Sequence, residues 1–177
     1  MAKPAKTARF TTELGKLAAD YGWHFILVKK KIAESFPSDG KSRRVVCTLN
    51  GEVSFQAGLM HYHGDFFITV NKPTRVKLGL EAGDKVDVEL KADESKYGIP
   101  MPEEFREVLD QDPEGDRLFH SLTAGKQRSL LYYIGKVKDI DKRIHYALIV
   151  VEHLKNNDGK VDGDKLYKEL KRPISDL

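Results

Sequence analysis

Hydrophobic and polar positions follow two different periods in the two halves of this chain. In "ITVNKPTRVKLGLEAGDKVDVEL", residues 68 to 90, Val86, Val88 and Leu90 alternate with Asp87 and Glu89. That two-residue period is the mark of a strand with one buried and one solvated face. The same stretch opens as a strand, breaks at Pro73, makes one helix-like turn and returns through Gly83-Asp84. "WHFILV" (23 to 28) and "FFITV" (66 to 70) are more continuously apolar and predict central or doubly covered strands. Asn50-Gly51 in "LNGEVSF" predicts a hairpin, because both residue types tolerate the left-handed backbone that tight turns require.

Beyond residue 102 the period becomes helical. Pro102, Glu103 and Glu104 form a helix start, the acids complementing the helix dipole, and Phe105, Val108 and Leu109 supply its buried stripe. In "KQRSLLYYIGKVK" Leu130, Ile134 and Val137 share a face. In "IDKRIHYALIVVEHL" the set Ile140, Ile144, Ala147, Leu148, Val151 and Leu154 predicts one continuous buried face. Asn156, Asn157 and Gly159 end that helix, and "DKLYKELK" predicts a last short one. A helical hairpin with short flanking helices follows.

Charge marks the junction between the halves. The chain of 177 residues has a net charge of +3, too small to imply nucleic acid by itself. Its distribution is uneven: residues 93 to 116 hold 9 acidic and 2 basic side chains, between two segments of net +5. "ADESKYGIPMP" coincides with this block and with the change of period, and its Pro and Gly residues interrupt regular structure. The expected organisation is a barrel domain over residues 1 to 92, a linker over 93 to 102 and a helical domain over 103 to 177.

Internal comparison refines the first domain. Setting "HFILVKKKIAESF" over "FFITVNKPTRVKL" matches Phe25 with Phe67, Ile26 with Ile68, Val28 with Val70 and Lys30 with Lys72, and "VVCTL" then meets "VDVEL". Each copy reads as strand, basic turn, short helix, strand, a unit with too little apolar surface to stand alone. The fold expected is α+β: an internally duplicated β-barrel in a monomer with a pseudo-two-fold axis, followed by a small all-α domain.

The "ITVNKPTRVKLGLEAGDKVDVEL" stretch resembles the swapped-hairpin unit of AbrB and MazE transition-state regulators and antitoxins. Over a longer span the chain is similar to the YdeI/OmpD-associated proteins: residues 9 to 92 through "WHFILV", "TLNGEVSFQAGL" and "VNKPTRVKLGLEAGDKVDVEL", and residues 99 to 154 through "IPMPEEFREVLDQDPEGDRLFHSLTAGKQRSLLYYIGKVKDIDKRI". The Thr-Arg expected just before Arg-Ile is absent around "DIDKRI". The resemblance implies a double-split β-barrel domain of unknown function preceding a helical domain, and a link to envelope or bacteriocin stress without an established activity.

Candidate chemistry is sparse. His61, His63 and Asp65 in "HYHGD" resemble part of a zinc site without its third and fourth ligands, and surface histidines are the simpler reading. Asp158 to Glu169 has the Asp, Asp, Gly and Glu of a calcium loop at positions 1, 5, 6 and 12. Lys160 stands where a ligand oxygen is required, so an interhelical turn is expected instead. Neither a metal nor a cofactor is expected. Cys47, the lone cysteine, lies in a strand-like "VVCTL", and no nucleophile elbow, phosphate loop or dinucleotide fingerprint occurs; no catalytic residue is assigned. Single-cysteine usage fits a reducing compartment, and no apolar run is long enough to span a bilayer, so the expected location is cytoplasmic. The strongest candidate surface is basic: Lys29, Lys30 and Lys31 in one repeat should approach Lys72, Arg75 and Lys77 in the other, extended by Arg43 and Arg44. The leading expectation is a non-enzymatic protein that binds an unidentified macromolecular partner. The alternative is DNA binding of AbrB-like type, with the paired basic turns neutralising phosphates.

Overall fold

The computed structural model describes residues 6–17, 22–40 and 42–173. The chain is α+β and divides into two compact units, Met1–Glu94 and Ser95–Leu177.

The first unit is a curled antiparallel sheet with two short helices. Its strands are β1 (Thr7–Lys16), β2 (His24–Val28), β3 (Arg44–Leu49), β4 (Val53–Gly58), β5 (Met60–Tyr62), β6 (Asp65–Thr69) and β7 (Lys85–Ala92), in the order β4-β3-β7-β1-β2-β6-β5. Helix α1 (Lys30–Ala33) follows β2, and α2 (Lys72–Leu78) follows β6. β1 is shared: Thr7 to Glu13 pair with β7, and Leu14 to Lys16 pair with β2. The outermost strands of the order, β4 and β5, are consecutive in the chain with Leu59 between them, β4 pairing with β3 and β5 with β6. The sheet therefore curls round one core, into which Leu14 and Leu59 project at the two bends, beside Ile26, Ile68, Val45, Cys47, Val88 and Leu90. In the ladders Ile26 faces Ile68, and Thr48 faces Glu89.

Local chemistry explains the connections. Asn50 and Gly51 both have positive φ, 50° and 67°, as a tight hairpin requires. The Asn50 side-chain oxygen also accepts the backbone N–H of Asp87 at 2.9 Å, tying the turn to β7. In α2 the Asn71 side chain caps the N–H of Thr74, Pro73 sits in the first turn, and Gly79 closes the helix at φ 63°. This is why "NKPTRVKLG" reads as a short helix between two strands.

The second unit contains α3 (Glu103–Gln111), α4 (Pro113–Ser121), α5 (Ala124–Gly135), α6 (Ile140–Asn156) and α7 (Gly163–Glu169). Side chains of Asp112, Thr123, Asp139 and Asp162 cap α4, α5, α6 and α7. Tyr97, Ile99 and Met101, ahead of α3, pack against this unit's core. α6 is central, with α3, α4, α5 and α7 against it. α5 ends at Gly135, so Val137 falls outside the helix whose face it was expected to extend.

The face expected to be buried on α6 requires a larger correction. Ala147, Val151 and Leu154 are buried, but Ile140, Ile144 and Leu148 are 60%, 39% and 40% exposed. Ile149, Val150, His145 and His153 are buried instead, because four neighbours surround α6 and cover parts of it outside the predicted stripe.

Candidate functional site

Ile140, Ile144 and Leu148 lie four residues apart along α6, a ridge about 12 Å long at 1.5 Å per residue. Glu103, Glu107 and Gln111 have the same spacing along α3. Between the two helices runs a groove of about 720 Å³. Val108, Ile144, Leu148 and Val151 supply its apolar surface. Its polar lining carries five carboxylates, Glu103, Glu104, Glu107, Asp112 and Glu152, against one ammonium, Lys155.

Three of these carboxylates are committed to ion pairs. Glu104 meets Arg143 at 2.7 Å, Asp112 meets Lys155 at 2.8 Å, and Glu152 meets Arg172 at 2.6 Å. Hydrogen bonds from these cationic side chains hold all three carboxyls below the ordinary carboxylate range, so they remain ionised at neutral pH. Asp112 in turn raises the Lys155 ammonium. Glu107 accepts only a neutral hydrogen bond, from the Gln111 amide at 2.6 Å, and Glu103 has no ion-pair partner among the described residues. On the α3 wall, Glu103 and Glu107 are thus the acids without an ion pair among the described residues.

The basic residues expected to form one surface begin from separate places. Antiparallel pairing of β2 with β6 sets Val28 opposite Phe66, while the N–H of Val70 bonds the carbonyl of His24. α1 and α2 therefore lead off opposite ends of this ribbon, roughly 17 Å apart at about 3.3 Å per residue. Lys29 pairs with Asp65 at 3.1 Å, and the backbone N–H of Lys30 donates to the same carboxylate at 2.8 Å. The Lys30 N–H first, and Lys29 after it, hold the Asp65 carboxyl below its usual range. Lys30 also lies near Glu34, and Lys31 is exposed on α1. The Arg43 guanidinium donates to the carbonyl of Phe36, and Arg44 stands opposite Gly58 at the start of β3. Lys72 and Lys77 are exposed on α2, and Arg75 is half-buried.

The other candidates resolve locally. His61 is exposed on β5 with its ring 4.4 Å from that of Phe66, while His63 occupies the following turn at φ 44°, against Tyr62. Among the described residues no three His, Cys, Asp or Glu side chains come together as metal ligands. Within the Asp158–Glu169 segment, Asp162 caps α7 and Glu169 lies 2.6 Å from His153 Nδ1, so both are engaged in helix packing.

Two arrangements escaped the sequence reading. The Tyr97 hydroxyl lies 2.7 Å from His120 Nε2, and His120 Nδ1 lies 2.9 Å from the Asp116 carbonyl and 3.0 Å from its carboxylate. Nδ1 donates to these acceptors, leaving Nε2 to accept from Tyr97, and the segment before α3 is thereby fixed to α4. Asp116 and His120 are visibly one helical turn apart; nothing local announces Tyr97. Phe25, Tyr62 and Phe67 form a second cluster on the sheet, with ring centroids 5.7 to 6.2 Å apart. It joins Phe25 of β2 to Tyr62 and Phe67 of the β5–β6 hairpin, far from β2 in sequence.

Residues 10–90 match the family model described as a domain of unknown function, DUF1905. Residues 99–157 match the one described as Bacteriocin-protection, YdeI or OmpD-Associated. No curated protein matches the chain. No helix among the described residues is long and apolar enough to cross a membrane.

Proposed function

We propose that this chain, a member of the YdeI/OmpD-associated family, is a non-enzymatic protein-binding module whose helical unit receives its partner in the α3–α6 groove. The observation that carries this reading is the exposed Ile144 and Leu148 pair inside a groove of about 720 Å³. Contiguous apolar surface rimmed by polar groups is the usual mark of an interaction site. The family description names bacteriocin protection and OmpD association, and partner binding is a function of the kind such a description accommodates. Photo-crosslinking residues placed at 144 and 148 should trap the same discrete protein in the source cells, and a residue placed at Tyr133 on α5 should not. Equal trapping from all three positions, or none from the groove, would remove the reading.

We also read the first unit as a duplicated double-split barrel. Its support is in the ladders. When Leu14 is laid on Leu59, Ile26 on Ile68 and Thr48 on Glu89, the Gly15–Phe25 pair becomes Met60–Phe67, and the Phe10–Val88 pair becomes Phe55–Cys47. Both are pairs of the sheet. Residues 1 to 94 expressed alone should form a monomer with one cooperative transition. A strand-exchanged dimer would contradict the single-chain barrel.

A further inference from the structure

We infer that the occupant of the α3–α6 groove is an amphipathic helix with a cationic flank, contributed by a partner protein; this rests on the reading of the groove as a binding site. The walls decide the secondary structure. Both are helices, whose central backbone groups are already hydrogen-bonded within each helix. An extended peptide laid between them would bury its own N–H and C=O groups without partners, whereas a helix brings those bonds with it. The ridge decides the apolar face. Ile140, Ile144 and Leu148 recur at one helical turn along α6, so an antiparallel or parallel helix with apolar residues four apart meets them ridge to groove.

Charge decides the remaining face. Glu104, Asp112 and Glu152 already have cationic partners, while Glu103 and Glu107 sit one turn apart on the α3 wall without a cation among the described residues. Lysine or arginine along one side of the bound helix completes those two carboxylates. An anionic surface such as an acidic lipid headgroup layer meets repulsion at the same wall.

The test uses the full chain and a fluorescent synthetic helix of Leu and Lys, about 18 residues and so roughly 27 Å long, with Leu confined to one face. A second peptide replaces every Lys by Glu. The Lys peptide should bind and gain helical ellipticity, with affinity falling as salt rises from about 50 to 300 mM, and the Glu peptide should not bind. Charge reversal in E103K/E107K should weaken binding by at least about tenfold, equivalent to 1.4 kcal/mol. Leu148→Glu should abolish it, and Lys126→Glu on α5 should leave the groove contribution intact. Equal binding to wild type and Leu148→Glu, or equal binding of the two peptides, overturns the proposal. So does a concentration-dependent dimer dissolved by Leu148→Glu, which would make a second copy of the chain the occupant. If crosslinking at 144 and 148 traps a partner but the Lys peptide neither binds nor competes, the groove stands as a binding site and only its cationic-helix occupant is refuted.

Discussion

Gly115 offers a substitution whose sign is decided by geometry against propensity. It occupies the first turn of α4, and Ala is favoured over Gly within a helix by about 1 kcal/mol, so local preference predicts that Gly115→Ala stabilises. The packing predicts the reverse. A Cβ at this position would lie 2.5 Å from Val151 Cγ1 and 3.3 Å from Asp112 Cγ. Val151 is buried at the centre of α6 and lines the groove, while Asp112 accepts the Gly115 N–H at 2.9 Å and pairs with Lys155. Neither neighbour moves without disturbing another contact. Overpacking costs about 1–3 kcal/mol, and an approach of 2.5 Å belongs in the upper part of that range, about 2–3 kcal/mol, leaving a net loss of roughly 1–2 kcal/mol once propensity is subtracted. For a unit of this size that lowers the melting midpoint by roughly 5–15 °C. Ellipticity at 222 nm weights the helical unit, whereas fluorescence of Trp23, the lone tryptophan, reports on the first unit. Val151→Ala opens space for the new methyl, so the double variant should be less destabilised than the sum of the singles by about 1 kcal/mol or more. A Gly115→Ala protein at or above wild-type stability, or strict additivity with Val151→Ala, would refute the close approach of α4 to α6.

Three further outcomes follow from individual groups. Cys47 is wholly buried, and burial pushes its thiol up to about 12; the folded protein should resist a thiol reagent at pH 8, and labelling faster than global unfolding would contradict that burial. Glu104, Asp112 and Glu152 have carboxyls lowered by cationic partners, so the folded state binds fewer protons than the unfolded chain, and their contribution is present above the ordinary carboxylate range and lost as pH falls through the lowered values. Stability of the helical unit should decline below about pH 4, less steeply in Glu104→Gln; an unchanged midpoint down to about pH 2 would exclude this linkage. His153 is buried, touches Glu169 at 2.6 Å and accepts the Asp162 N–H at 3.1 Å; His153→Leu should cost about 2–4 kcal/mol and release α7 amides to hydrogen exchange, whereas native-like protection would show that α7 docks without it.

Legibility in the sequence followed covalent locality. The buried set of β7 was plain because Val86, Val88 and Leu90 keep one partner face throughout, and α2 was plain because its cap, proline and closing glycine lie within nine residues. β1 and the β4–β5 run were obscure for a physical reason. In β1 burial keeps its two-residue period through Ala8, Phe10, Thr12 and Leu14, but Ala8 and Thr12 on the inner side are small or polar, and in the β4–β5 run the small Ala57 stands between Phe55 and Leu59, so the apolar alternation is faint in the sequence. The basic segments read in the sequence as turns ahead of a short helix, whereas Lys30 and Lys31 lie within α1 and Lys72, Arg75 and Lys77 within α2; the direction in which each helix leaves the sheet depends on the β2–β6 register, which no short segment contains.

The groove was hidden by an opposite difficulty: its residues were noticed and assigned to the core. Periodicity identifies which positions of α6 are apolar, but coverage depends on where its neighbours sit. Helical stability supplies no reason for apolar side chains at 144 and 148, since lysine and glutamate propagate a helix at least as well as isoleucine. Nor does the packed core require them, because Ile144 and Leu148 remain about 40% exposed while Ala147, Ile149, Val150, Val151 and Leu154 fill the interior. Ile144→Lys and Leu148→Lys should therefore cost the fold far less than the several kcal/mol typical of a buried leucine or isoleucine truncated to alanine. An apolar ridge that the bundle can lose cheaply, beside acids at Glu103 and Glu107 that no cation of the described residues answers, is the combination on which the proposal of a bound cationic helix rests.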